Sequence, residues 1–347
     1  MTTTPASRSA NAGARAASVA RLAATVAITL LGLAALTFFI GRVMPVDPVT
    51  ALVGDQADRQ TYDAVRERLG LDKPLVVQFG YYLRDIATGN FGTAIGTGHP
   101  VIEDIRRVFP ATVELATLSL LAGVLVGVPL GVAAAVSKGR AVDHLARLFG
   151  LFGYSVPHFW LGLIALVVFY AWLGWIGGSG RLSLGYVDAV PDVTGMILVD
   201  AMLDRNWEVF RDALRHIVAP ALILATTSTA YLSRLTRSFM LEQLAQEYVT
   251  TARIKGLSEW KVTMHAFRNI GVQLITVIVL AYGGLLDGAV LTETVFGWPG
   301  FGQYLTTGLL AGDMNVVITC TLLVGVIFLT LNLAADVIYR VLDPRTR

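Results

Sequence analysis

Cysteine is nearly absent. The single thiol, Cys320, excludes an internal disulfide and any cysteine cluster for zinc or an iron–sulfur centre. It lies within an apolar run, which makes it a buried, inert side chain rather than a reactive one. Charge is scarce as well: 15% of the 347 residues are Asp, Glu, Lys or Arg, and the formal net charge is +2. So small a surplus, spread over loops instead of gathered in a stripe, speaks against nucleic acid as a partner. The five histidines (His99, His144, His158, His216, His265) are scattered without metal-ligand spacing, and no His-Glu-x-x-His pair occurs. No Gly-x-x-x-x-Gly-Lys-[Ser/Thr] loop is present to cradle ATP phosphates, so energy has to come from another chain. No cofactor motif stands in its place.

What the chain has is apolar length. Hydrophobic residues make up 54% of it and the mean hydropathy is +0.63, too high for an ordinary soluble domain and indicative of several membrane spans. Residues 1–18, rich in Thr, Ala, Ser and Gly with Arg8 and Arg15, read as a mobile cytoplasmic tail that cannot bury a core. The run 19–41 is long enough to cross the hydrocarbon layer and too long for the apolar core of a secretory signal, so it is an uncleaved first span. Pro45 and Pro48 then stop the helix, and 42–110 is polar, with helices expected at 58–69 and 76–86, the second carrying Phe79, Tyr81 and Tyr82.

Further spans are expected at 111–136, 148–175, 216–234, 270–291 and 316–339, giving six in all and an all-α integral membrane protein. Gly123, Gly127 and Gly131 put small residues on one face of the second span, a packing seam. Pro157 should kink the third. The fourth has hydroxyls at Thr226, Thr227, Ser228 and Thr229, which can bond to carbonyls one turn back or line a polar path. Gly177-Gly-Ser-Gly180 has the Gly-x-Ser-Gly form of intramembrane serine proteases, but four small residues after a span read first as a turn.

One stretch contrasts with all of this. Residues 247–261 are polar and charged, with Tyr248, Ala252 and Leu257 at a roughly helical period and Arg253, Lys255, Glu259 and Lys261 facing elsewhere. The pattern predicts a short amphipathic helix, a left-handed turn at Gly256, and a second short helix that Ser258 can cap. The run Tyr-Val-x-Thr-Ala-Arg-x-Lys-Gly-Leu, Tyr248 to Leu257, resembles the "EAA" loop of bacterial ABC-importer permeases. Met-Pro-x-Asp-Pro (44–48), Leu-Gly-Leu-Asp-Lys-Pro (69–74), Gly-Asn-Phe-Gly-Thr (89–93), Glu-Thr-Val-Phe-x-Trp-Pro-Gly (293–300) and Leu-Asp-Pro-Arg (342–345) are similar to pieces of the dipeptide, oligopeptide and nickel permeases. The likeness belongs to the subunit with a long first extracytoplasmic segment. Gln273 departs from it, standing where those permeases bring a proline.

The resemblance implies a type I ABC importer permease fold without cofactor or metal. It also implies four kinds of partner: a second, homologous permease, two cytoplasmic ABC ATPase subunits, an extracytoplasmic substrate-binding protein and the lipid of the cytoplasmic membrane. Tyr248, Ala252, Arg253, Lys255, Gly256 and Leu257 are then the ATPase-coupling residues. Cargo is expected to be di- or oligopeptides, with nickel or another small solute as the alternative in transport and an intramembrane hydrolase as the alternative of another class.

Ionisable residues inside spans suggest function by default. Asp287 lies within the fifth span with no basic residue four positions away, whereas Glu114 and Glu293 lie near predicted membrane edges where they can touch water. Asp336 is one turn from Asn332 and Arg340, a structural pairing. Asp287, Glu293, Thr226 and Thr227 are the candidate substrate-path residues. The division expected is a tail at 1–18, a span at 19–41, an extracytoplasmic segment at 42–110, a permease domain at 111–340 with its knob at about 243–262, and a tail at 341–347. Lys138, Arg140, Arg147, Arg237, Arg253, Lys255, Lys261, Arg268, Arg340, Arg345 and Arg347 place the short loops and both termini in the cytoplasm.

Overall fold

The structure is a computed structural model and describes residues 5–43, 48–54, 56–68 and 70–342. The motif residues Met44, Pro45 and Asp47, the break at Leu69, and the final stretch with Arg345 and Arg347 lie outside the described residues. Among the described residues the secondary structure is helical, apart from one isolated bridge between Thr93 and Pro100.

The first helices are α1 (Pro5–Val43), α2 (Pro48–Val53), α3 (Arg59–Arg68) and α4 (Leu75–Ala87). They are followed by α5 (Val101–Val136), α6 (Ala141–Ser155), α7 (His158–Ala165), which runs on as a wider π turn over Leu166–Trp172, and α8 (Ile197–Leu203). The chain continues through α9 (Trp207–Leu244), α10 (Glu247–Ile254), α11 (Glu259–Asn269), α12 (Gly271–Phe296), α13 (Phe301–Leu310) and α14 (Met314–Leu342). Five of these, α1, α5, α9, α12 and α14, are long and apolar enough to cross a membrane. The sixth expected span is the pair α6 and α7, bent by 94° at Val156-Pro157. Proline at that place removes an N–H and blocks helical geometry in the preceding residue, so the break expected from the sequence is a right-angled turn.

The long helices outrun the apolar windows that reveal them. α5 begins at Val101 rather than 111, and α9 fills 207–244 rather than 216–234. At 1.5 Å per residue α9 is about 57 Å long against a hydrocarbon layer of about 30 Å, so its polar ends project beyond the lipid. Hydropathy sees only the central part. α1 likewise starts at Pro5, inside the stretch whose composition predicts a mobile tail. That expectation weighed only burial, whereas the alanines there favour helix locally.

The described residues form two compact units, one of the chain up to Ile102 with Gly308–Leu329, the other of Glu103–Thr307 with the chain from Thr330. In the first, α4 lies on α1, with the Phe38 ring centroid 5.2 Å from Phe79 and 5.6 Å from Tyr82, and with Thr37 Oγ1 2.9 Å from the Tyr82 hydroxyl. The Gly89 to Thr93 motif is tied to the start of α14. Asn315 Nδ2 donates to the Thr93 carbonyl at 3.0 Å, and the buried Asp313 accepts the backbone N–H groups of Ile95 and Val316. Cys320 is buried, as its apolar setting predicts.

In the second unit α9 is the central post. The α5 glycines meet it: a Cβ on Gly127 would stand 2.8 Å from the Thr229 carbonyl, and one on Gly131 2.6 Å from that of Ser233. The glycine spacing is therefore a packing seam. In the segment 176–215, for which the sequence offers no motif, the part before α9 is pinned by charge. Arg181 Nη2 donates to Glu114 at 2.8 Å and to the Gly195 carbonyl at 2.9 Å, while its guanidinium lies 5.6 Å from the centre of the Trp298 ring. Glu114 also accepts the Leu198 N–H at 2.8 Å. Gly177-Gly-Ser-Gly180 is a turn that docks through its backbone, Gly177 N–H on the Arg215 carbonyl and Gly180 N–H on that of Phe296.

Candidate functional site: a polar knob and a passage face

The polar stretch folds as its pattern predicts, into α10, a turn, and α11. Gly256 has φ +77°, Leu257 N–H reaches back to the Ala252 carbonyl at 3.2 Å, and Gly256 N–H reaches that of Arg253 at 2.9 Å. This is a Schellman ending, which needs a left-handed residue that glycine adopts without steric cost. Ser258 occupies the N-cap of α11 with extended φ and ψ, but its hydroxyl makes no capping bond. The turn is stitched instead by Arg253, whose Nε and Nη2 donate to the two Glu259 oxygens at 3.0 and 3.1 Å. Those hydrogen bonds, helped by the opposite charge, hold the Glu259 carboxyl below the usual carboxylate range and the Arg253 guanidinium above its own.

Val249 of α10 and Val262 of α11 are both buried and border the same hollow. Tyr248, Ala252, Lys255, Leu257 and His265 also line this open hollow of about 350 Å³ on the surface of the knob. Two residues that the periodicity missed complete the picture: Ile254 is 82% exposed and Trp260 71% exposed. Large apolar side chains exposed on short, charged helices make this face a candidate contact surface. The signal was an isoleucine on the polar side of α10, which no internal packing explains.

Four further residues were expected on a substrate path, and the structure separates them. Thr226 donates to the Ile223 carbonyl at 2.7 Å, one turn back, and so closes on its own helix. Thr227 instead meets His158 in a hydrogen bond that ties α9 to α7. Glu293 does not face water. It is fully buried, accepting Thr112 Oγ1 at 2.6 Å and the Gly302 and Gln303 N–H groups at 2.7 and 3.0 Å. It thus caps the N-terminus of α13, and a Cβ on Gly300 would stand 2.5 Å from its carboxyl, so a larger residue there would displace this brace. Glu114 is buried in the same way against Arg181. Both acids lie at span ends, as their positions suggest, but they brace the ends rather than touch solvent.

Asp287 is the exception. It is exposed on α12 in a stripe with Gly284, Leu291 and Thr294, and among the described residues no basic side chain pairs with it. Gln273, in the departure from the proline pattern, starts α12 without a bend of its own, because the chain has already broken at Ile270. Its Oε1 is buried without a hydrogen-bond partner.

A family model described as binding-protein-dependent transport system inner membrane component matches residues 127–347, and one for the N-terminal part of such membrane components matches residues 17–116. The chain is similar to the probable D,D-dipeptide transport system permease protein DdpB of Escherichia coli (strain K12), 44% identical over 319 residues, covering 92% of this chain and 94% of that protein. It is 42% identical over 321 residues to the di/tripeptide transport system permease protein DppB of Pseudomonas aeruginosa (strain UCBPP-PA14), covering 92% and 95%. To the dipeptide transport system permease protein DppB of Escherichia coli (strain K12) it is 37% identical over 322 residues, again covering 92% and 95%.

Proposed function

We propose that this chain, which belongs to the family of binding-protein-dependent transport system inner membrane components, forms half of a passage for di- and oligopeptides. The chain is an integral membrane transport permease of all-α architecture, and not an enzyme. In this reading a second, homologous permease completes the passage, two ATPase subunits bind the knob, and a substrate-binding protein delivers cargo from outside. The observation that carries it is the knob. A Schellman turn and an Arg253–Glu259 pair join α10 to α11, with Val249 and Val262 buried, while Ile254 and Trp260 are left exposed. ATP-driven closure of the partner subunits would displace that piece, and the rigid long helices would rock between inward-open and outward-open states.

Asp287 gives the passage one negative point. A carboxylate in hydrocarbon costs about 2.5–3.5 kcal/mol on insertion scales, so its exposure on α12 suits a water-filled interior or a partner subunit rather than lipid. In this proposal it favours the ammonium end of a peptide and disfavours anionic cargo.

The test is uptake in a strain lacking the chromosomal copy, with labelled dipeptide challenged by excess peptide, nickel or sugar. Peptide alone should compete. Asp287→Asn should slow zwitterionic and cationic peptides more than acidic ones, with the complex still assembled. Competition by nickel or sugar instead would overturn the peptide assignment, and equal slowing of every peptide would return Asp287 to a structural role.

A further inference from the structure

A cavity of about 200 Å³ lies among α6, α7, α9 and α12, apart from both the knob and the Glu293 brace. Its walls include Tyr154, His158, Thr227, Tyr231, Gly284 and Gly288. Most of the remaining surface is leucine and alanine. An apolar cavity of about 150 Å³ already accepts benzene, so this one has room for a phenyl ring or a branched aliphatic chain. Its composition is not that of a packing defect. The His158–Thr227 hydrogen bond, two phenols and Ser228, whose hydroxyl turns back to the Ala225 carbonyl, stand beside leucine and alanine, which is the make-up of a site that holds one apolar group and orients polar ones beside it. Tyr154 is further set in place by Arg234, whose guanidinium lies 5.1 Å above its ring.

Of the five α12 residues on this wall, Leu280, Ala281, Gly284, Leu285 and Gly288, two are glycines. A Cβ on Gly284 would meet nothing within 4 Å, and one on Gly288 would meet only Leu224 Cδ1 at an ordinary 3.7 Å. Within this chain neither glycine makes a close helix contact, unlike Gly127 and Gly131, so a side chain at either place projects toward the hollow rather than into a neighbouring helix. Gly284 is exposed and lies one turn before Asp287 on the same open stripe. A stripe bearing that carboxylate does not face lipid tails, which argues against an acyl chain as occupant.

We infer that this cavity is a side-chain subsite of the passage, receiving one aromatic or branched side chain of a peptide in transit. The inference rests on the peptide reading above and adds to it a preference exerted by the permease itself. The guest's backbone lies at the polar mouth, with His158, Tyr154 and Tyr231 as partners for its amide groups, while its side chain replaces water against leucine.

The experiment fills the hollow without disturbing the fold. The complete importer, purified through this chain and reconstituted in vesicles, is assayed with labelled Gly-Gly and Phe-Phe for wild type, Gly284→Leu and Gly288→Ala. Binding of both peptides to the isolated binding protein is measured in parallel, so that permease selectivity is read separately. Phe-Phe uptake relative to Gly-Gly should fall about tenfold in Gly284→Leu, the scale at which a pocket senses lost methylene space, and by less in Gly288→Ala. An unchanged ratio in both variants overturns the subsite while leaving the peptide passage standing. Loss of the second permease from both variants also overturns it, because the hollow then belongs to the subunit contact. A wild-type complex that moves neither peptide refutes the underlying function instead.

Discussion

Gly256 shows how far a single position can be argued. Its φ of +77° is one that a β-branched residue adopts only with strain, while a side chain there would meet nothing within 4 Å. Backbone conformation alone therefore decides the effect of a substitution. Gly256→Val should cost about 1–2 kcal/mol at the turn and misaim α11 relative to α10. The expected outcome is normal insertion and normal pairing with the second permease, but lost uptake and weaker co-purification of the ATPase. Full uptake by the variant would exclude a coupling role. This residue was legible because its reason is local: the turn, its glycine and its flanking helices all lie between Glu247 and Asn269. Glu293 was not. Its partner Thr112 is 181 positions away, and no spacing rule tells a carboxyl that caps a distant helix from one that faces water. His158 and Thr227, 69 positions apart, were hidden for the same reason.

Helices obey the same division. The bend at Pro157 and the six apolar runs follow from backbone sterics and segment length, and both appear in the fold. Helix ends were missed wherever polar residues prolong a span, since hydropathy measures lipid contact and not helix. The α5–α9 seam was read from spacing, although its partner was not. Gly131 is the most demanding point of that seam, because an added Cβ would press on the Ser233 carbonyl at 2.6 Å and on Thr236 Cβ at 2.7 Å. Gly150, on α6, would meet nothing within 4 Å. Gly131→Ala should therefore destabilise the chain by about 1–3 kcal/mol through overpacking, seen as a lower midpoint of thermal unfolding in detergent. Gly150→Ala, in open space inside α6, should hold or slightly raise that midpoint, since alanine favours helix over glycine. Equal midpoints for the two variants would show that the helices can separate freely at the seam.

At the scale of the molecule the remaining question is which way the chain faces. α9 joins the 176–206 region to the knob, and its length exceeds the hydrocarbon thickness, so if it spans, those two pieces lie on opposite sides. The basic residues of the short segments, among them Lys138, Arg140, Arg253, Lys255 and Lys261, favour the cytoplasm for the knob. The longer 176–206 region then lies outside, where its own Arg181 counts little toward orientation. The fold supplies suitable probe positions. Leu184 is 94% exposed within that region, and Ser258 is exposed on the knob with a hydroxyl that makes no capping bond, so cysteine at either place disturbs little. Cys320 is buried, and Cys320→Ala removes any background. In intact cells an impermeant maleimide should label Leu184→Cys and spare Ser258→Cys, which should react only after the membrane is opened. The reverse pattern would place the knob outside, beyond reach of any ATP-driven partner, and the transport mechanism proposed for it would fall.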